Sequence, residues 1–456
     1  MAPLRSLLMV IVFVARSPSS TPVVGTPPPV IPTPPPPITV PPVGFQGGTV
    51  GGPVGGIPGT KQTGGTAPVY TPPAYVRPGV KKAKSGEEHP PLVQSRTFTW
   101  KGKLPEKAEI RYSPNGTLIM AVGEEGDVSI VSAFDGTERL AYHSHIKGLR
   151  PALHPDGEML LTGLDKKGAW LVNLTVGSVD KGQELPGFKS ESVRVAAFSK
   201  DKAAWAAAGG ESGTVVAWRT SDNRTFAFRS PNGKAHAGPV TALAFGGGGF
   251  NNDLITAAGN TVRFWDQSGD WRNPPQTMLA GGIVSAVGFC GVFGRERFAC
   301  TPNQGVNKWG DNGAGLVVPP NGALSNFTRA VVAGSRFDKT TFVAMTEDGK
   351  FGFWDGKALS PISEEAGPGK AADIGASKEG NLFAVGFDDG SFGIWNSESK
   401  KQLFEVSDHG APVIAVTWSQ GGNELATVDK TGRVRVWAEP TRFDLRGEGV
   451  TFQKAQ

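Results

Sequence analysis

Cysteine is almost missing from this chain, with two among 456 residues, which excludes a disulfide-stapled scaffold and any four-cysteine metal site. Long apolar runs are missing too. The run Leu7 to Ala15 covers nine residues, far short of the roughly 20 that a helix needs to cross a bilayer. Residues 1 to 85 contain no acid and seven bases, namely Arg5, Arg16, Lys61, Arg77, Lys81, Lys82 and Lys84. The remainder carries 39 bases against 41 acids, so the net charge of +5 belongs to the N-terminal segment. Phosphate binding needs a basic footprint on a folded domain. The rest of the chain lacks one, and no nucleic-acid partner is expected.

The first ninety residues cannot bury a core. Arg5 and Arg16 flank the short apolar run, which gives residues 1–16 the pattern of a secretory signal. Phe13 and Pro18 make a poor cleavage site. A secreted or extracytoplasmic location is expected, with a cytoplasmic one as the alternative if the run is only an apolar end. From Ser17 to Thr60 no residue is charged, and 19 of the 37 prolines lie in the first 80 residues. Residues 17–90 are therefore expected to be a disordered Pro/Gly-rich linker acting as a spacer, with Pro-rich docking as the alternative use.

From about residue 95 the chain repeats itself. The marker is a short β-type stretch ending in Trp, as in GTVVAW at Trp218, GKFGFW at Trp354, GSFGIW at Trp395 and GRVRVW at Trp437. Looser copies end at Trp265 and Trp309, and two earlier ones end at Val131 and Val172. Successive markers lie 41, 46, 47, 44, 45, 41 and 42 residues apart. Before each comes an apolar stretch, a polar turn such as Ser113-Pro-Asn-Gly116 or His154-Pro-Asp-Gly157, and a small-residue stretch such as Trp205-Ala-Ala-Ala-Gly-Gly210. Three strands at this spacing and a weaker fourth make one four-stranded unit.

These residues resemble the WD40-repeat β-propeller family. The resemblance covers residues 95–440 and implies an all-β propeller, with eight blades expected from eight markers and seven as the alternative. It also implies a buried His–Asp–Ser/Thr–Trp network in each repeat. By spacing, His145, His236 and His409 fall four residues before a first strand, and Asp348 and Asp389 fall six residues before Trp354 and Trp395. No repeat carries the full set in that register; in the last, Thr431 takes the Asp place and Asp429 stands two residues early. Closure of the ring is expected to use Arg96 to Trp100 as outer strand of the last blade, with the tail 441–456 as competitor.

Catalytic constellations are not apparent. There is no H-E-x-x-H and no G-x-S-x-G. Gly369-Lys370 ends no phosphate loop, since Glu364 replaces the first glycine and Ala371 the hydroxyl residue. His143 and His145 are the one close histidine pair, without an evident third ligand in sequence. Cys290 and Cys300 are expected on adjacent strands joined near Gly294, close to opposite one another, either bridged or as core thiols. Trp170, Trp205 and Trp271 lie outside the markers and are candidate contact points. No catalytic, metal or cofactor site is expected. The expected function is a non-catalytic scaffold: a monomeric propeller binding a protein or peptide on one face, without an integral membrane span. The alternatives are a small-ligand-binding propeller or an eight-bladed quinoprotein-like enzyme, whose family resemblance would imply a quinone and calcium.

Overall fold

The computed structural model describes residues 81–82 and 93–438, short loop stretches excepted. The segment 1–80, with its apolar run and its Pro/Gly-rich stretch, and the tail 441–456 lie outside the described residues. Eight antiparallel sheets follow one another along the chain. They are numbered here as blades: 109–143, 152–185, 193–227, 240–279, 286–318, 327–361, 371–407 and 413–438. The count is eight rather than seven, because the degenerate first repeat forms a full four-stranded sheet.

Within blades 1 to 7 the strands pair in sequence order, as meanders do. The second strand of each blade lies between two flanking strands and between two neighbouring blades, so both of its faces are covered. This explains its continuous apolar or small-residue character. Trp205–Gly210 and Leu382–Phe387 are buried at every position. The polar turn after the first strand is built by serine. Ser113, Ser199 and Ser419 each accept a backbone N–H through Oγ, from Leu118, Trp205 and Glu424, at 2.9, 3.0 and 3.1 Å. That local device recurs because each repeat must make the same reversal.

Blade 8 supplies three strands of its own, and its outer strand is Val93–Thr99 from the other end of the chain. Trp100 falls just past that strand, where its indole donates to Ser129 Oγ of blade 1 at 2.9 Å. Closure by strand exchange leaves the last sheet no missing edge. The seam between blades 8 and 1 is packed by Ile110, Tyr112 and Val131 against Ala415, Val428 and Val436. Similar shared cores join blade 3 to 4 through Trp205 and Trp265, and blade 6 to 7 through Val343 and Phe383.

The hairpin of blade 5 corrects an expected pairing. Cys290 stands opposite Glu296, and Cys300 stands opposite Ala286. The turn is therefore centred earlier than the symmetric reading placed it, and the cysteines are offset by four residues. At strand rise this is roughly 13 Å, too far for a disulfide. Cys300 is buried in the sheet.

Candidate functional site

The polar groups of the core meet in the last blade. His409 sits in the loop before the first strand, Thr427 and Asp429 on the second strand Glu424–Asp429, and Trp437 on the third. His409 Nδ1 lies 3.1 Å from Asp429 Oδ2, and Nε2 lies 2.7 Å from Thr427 Oγ1. Trp437 Nε1 donates to the same hydroxyl at 3.0 Å. The indole can only donate, so the hydroxyl accepts from it and donates onward to Nε2. The histidine then keeps its proton on Nδ1 and donates to the carboxylate.

Burial, the largest influence, pushes His409 below the usual histidine range, against the opposing pull of Asp429. Burial pushes Asp429 the other way, yet hydrogen bonds from Thr431, His409 and the N–H of Arg433 leave it below the ordinary carboxylate value. The pair is therefore a neutral imidazole on an ionised carboxylate.

This set differs from the expected one in its aspartate. Asp429, not the residue six places before Trp437, completes the network. The hairpin has the same length as in blades 6 and 7, where Phe342 pairs with Trp354 and Phe383 with Trp395 as Leu425 pairs with Trp437 here. Asp429 therefore stands on the strand, two residues before the turn position that Asp348 and Asp389 occupy in their blades. Thr431 instead donates to Asp429, through both its N–H and its hydroxyl.

Blade 4 holds three quarters of the same arrangement. His236 Nε2 lies 2.8 Å from Thr256 Oγ1, and Trp265 Nε1 donates to that oxygen at 2.9 Å. The strand position matching Asp429 is Ala258: Val240 pairs with Ala258 as Val413 pairs with Asp429. His236 Nδ1 is consequently buried with no hydrogen-bond partner. Burial first, and then the charge of Arg263, hold the pKa of His236 down at about 3.

A second element accompanies the histidine in these two blades. Arg435 and Arg263, each two residues before the tryptophan, reach back to the residue preceding the histidine. Arg435 donates to the carbonyl of Asp408 at 2.5 Å and pairs with its carboxylate, and Arg263 donates to the carbonyl of Ala235. The marker tryptophans at 218, 309, 354 and 395 are preceded at that place by Val216, Asn307, Gly352 and Gly393. The motifs VRVW and VRFW set these arginines apart from the other markers in the sequence.

The other predicted positions are placed differently. His145 is exposed, with a backbone φ of 60°. The buried seat before blade 2 belongs to Ser144, whose N–H bonds to Gly126 O as those of His236 and His409 bond to Gly213 O and Gly390 O. His145 instead meets His143 edge to face, with ring centroids 4.3 Å apart, while His143 Nδ1 lies 3.1 Å from Asp127. No group of three metal-ligating side chains forms among the described residues.

Asp348 and Asp389 are exposed and cap turns. Asp348 accepts from Thr346, and Asp389 accepts from the N–H and hydroxyl of Ser391 at 2.9 and 2.6 Å. Trp218 donates to Pro186 O at 2.9 Å, Trp309 is buried against blade 4, and Trp395 packs among Phe351, Phe383 and Phe387. Trp354 is in register with Phe342 on its strand. Of the tryptophans outside the markers, Trp205 and Trp271 are buried against each other and Phe226. They are core, not contact points. Trp170 is partly exposed and donates to Lys167 O.

Carboxylate, imidazole and hydroxyl in a row recreate the order of a nucleophilic triad. Here they are sealed. His409 is 1% exposed and Thr427 and Asp429 are 0%, and the hydroxyl is already engaged by an indole. No substrate reaches them, so the network's chemistry is confined to holding a loop on a strand.

The surface offers something different at the same end of the blades. Leu279 ends the outer strand of blade 4 and Ile283 lies in the loop to blade 5, 67% and 69% exposed. Ala280 N–H bonds to Asn260 O at 2.9 Å and Val284 N–H to Gly259 O at 2.7 Å, so both flanks of the apolar pair are pinned to the neighbouring turn. On the inner side of the ring, the Arg150 guanidinium of blade 2 donates to the carbonyls of Thr241 in blade 4 and Ser285 before blade 5. Burial lowers its pKa to about 10, with Glu109 acting against that shift and Arg111 and Arg194 adding to it.

Four-stranded antiparallel blades, eight of them, closed by exchange of a terminal strand, define a β-propeller. A family model described as "WD domain, G-beta repeat" matches residues 400–438, the stretch that carries His409, Thr427, Asp429 and Trp437. Residues 400–438 thus match one WD40 repeat, in a chain whose fold is that of a β-propeller. Among solved structures it is similar to the computationally designed Ika8 protein, at 19% identity and a TM-score of 0.52, covering 75% of this chain and 98% of that one. It is also similar to the RRP9 WD40 repeats, at 14% identity and a TM-score of 0.47, covering 79% and 99% respectively. No curated protein matches the chain. No helix among the described residues is long and apolar enough to cross a membrane.

Proposed function

We propose that the protein is a non-catalytic platform that holds a protein or peptide partner on the propeller face bearing the loops between successive blades. The observation that carries this reading is the apolar pair Leu279 and Ile283, exposed on a loop whose flanks are pinned at Ala280 and Val284. A partner meeting a fixed apolar pair loses little of its binding energy to ordering the loop. The core's most elaborate polar network, meanwhile, is spent on internal scaffolding and is sealed from solvent. Partners of propellers commonly sit where loops from many blades converge.

The test is capture of partners from source-cell extract by the full chain and by its Leu279→Asp/Ile283→Asp variant. Both positions are exposed, so the variant keeps the wild-type melting temperature. A protein retained by the wild type and lost by the variant supports the reading. Retention of the same partners by both removes this face from consideration.

A further inference from the structure

We propose that the outer edge of blade 7 is a strand-addition site for an extended, lysine-bearing segment, and that the chain's own Lys81–Lys82 occupies it. This goes beyond the platform reading and does not depend on it.

The outer edges of the blades differ in how they are protected. An exposed edge strand offers unpaired N–H and C=O groups to any passing strand, and proteins blunt such edges with short strands, charges, proline or a cover. Blades 2 and 3 have outer strands of three residues, Gln183–Leu185 and Thr225–Ala227. Those of blades 4 and 5 have four, Gln276–Leu279 and Gly315–Val318. Blade 6 has three, ending in Pro361. Blade 1 has six, Glu138–His143, but two of them, Glu138 and Arg139, are charged. Blade 8 ends on Val93–Thr99, seven residues with Arg96 as their one charge.

Blade 7 presents the other long edge, with a single charge of the opposite sign. Its outer strand Gln402–Ser407 also has six residues, reads QLFEVS, and carries Glu405 as its one charge. Of these two long edges, the acidic one of blade 7 receives a fifth strand among the described residues. Lys81–Lys82 pairs antiparallel to it, with Lys81 opposite Glu405 and Lys82 opposite Phe404. Register thus sets a basic residue against the strand's single acid, the favourable cross-strand combination. Lys84 follows two residues on, in a segment of the chain that contains no acid before Glu87.

Alternate N–H groups along a strand point to opposite neighbours. One of Phe404 and Glu405 therefore donates outward, and hydrogen exchange reports whether a strand lies there. In the full chain, Lys81→Pro/Lys82→Pro removes both donors of the added strand. Exchange of the outward amide in residues 402–407 should then rise by about tenfold or more, with the other blades unchanged. A synthetic peptide of residues 77–86 should bind this variant and restore protection, while leaving the wild type unaltered. Lys81→Glu/Lys82→Glu, which keeps the donors, should raise exchange by an intermediate amount.

Unchanged exchange in the proline variant overturns the site. Failure of the peptide to protect the variant overturns it as well. Protection in the glutamate variant equal to wild type overturns the preference for lysine. Sedimentation separates the source of the strand: a wild-type dimer that the proline variant abolishes means that a second copy supplies it, and overturns occupation in cis.

Discussion

Arg96 and Glu424 face each other across the closing seam of the ring, joined through both guanidinium nitrogens at 2.8 and 3.1 Å. Arg96 lies on the strand contributed from the N-terminal side and Glu424 opens the second strand of blade 8. The remaining Arg96 nitrogen, Nε, donates to Ala133 O of blade 1 at 2.7 Å. One side chain thus ties the exchanged strand to both blades it separates.

The pair makes the first prediction. Both side chains are mostly buried, 18% and 8% exposed, and removing one partner of such a pair strands the other charge. Glu424→Ala should lower unfolding stability by about 3 kcal/mol, read as a shift of the urea midpoint. Arg96→Ala should do the same and also loosen the contact with blade 1. A shift under half a kcal/mol in both would mean that the backbone ladder of Val93–Thr99 closes the ring unaided.

Thr427 is the hub of the sealed network, taking a proton from Trp437 and giving one to His409. Thr427→Val keeps the shape and removes the hub. Two buried polar groups then lose a partner, at roughly 1–3 kcal/mol each. The analogous Thr256→Val in blade 4 should cost a similar amount, because Trp265 and His236 depend on it in the same way. Comparable losses would show that the carboxylate adds little to what the hydroxyl does; a larger loss in blade 8 would show the four groups acting as one unit.

Acid should unfold the propeller from an unusually high pH. His236 is held at about 3 while an unfolded histidine titrates near 6.5. Between those values the unfolded state binds a proton that the folded state refuses. Stability is therefore intact above about pH 6.5 and falls by up to about 1.4 kcal/mol for each unit of pH below it. His409, also lowered by burial, acts in the same direction, and Asp429, lowered as well, adds a further loss below the ordinary carboxylate range. His236→Gln should flatten the curve between pH 6 and 4, which denaturant midpoints measured across that range would show.

The architecture was legible because it repeats. Markers 41 to 47 residues apart require a unit too short for a domain and too long for a hairpin. The buried network was read less well, and for specific reasons. The six-residue spacing of Asp348 and Asp389 from their tryptophans marks a turn position, whereas the carboxylate of the network stands on the strand, two residues after Thr427 and opposite Val413. His145 was counted from Leu149, but the seat is set by a backbone bond to Gly126, which Ser144 makes. The arginines at 263 and 435 looked like ordinary polar alternation in a strand; their role depends on where the preceding loop passes, which no local pattern encodes. The cysteine offset likewise followed from the placing of one turn.

Ala258 tests whether the blade 4 network is an incomplete copy of the one in blade 8. It occupies the strand position of Asp429 and is 7% exposed. Its methyl leaves His236 Nδ1 without an acceptor. Ala258→Asp offers that acceptor in a place where the register already matches. A charge-assisted hydrogen bond is worth about 1.5–3 kcal/mol, and burial of the new carboxylate takes back part of it, so a net gain of about 1 kcal/mol is expected. The second consequence is more diagnostic. A carboxylate beside Nδ1 favours the protonated ring, so the His236 pKa should rise from about 3 toward the ordinary range, measured by NMR titration of its ring protons. A rise with no gain in stability would mean that burial of the acid cancels the bond. An unmoved pKa would mean that the turn at Gly259–Asn260, shorter than the one after Asp429, holds the carboxylate away from the ring, and that blade 4 is built to do without the fourth group.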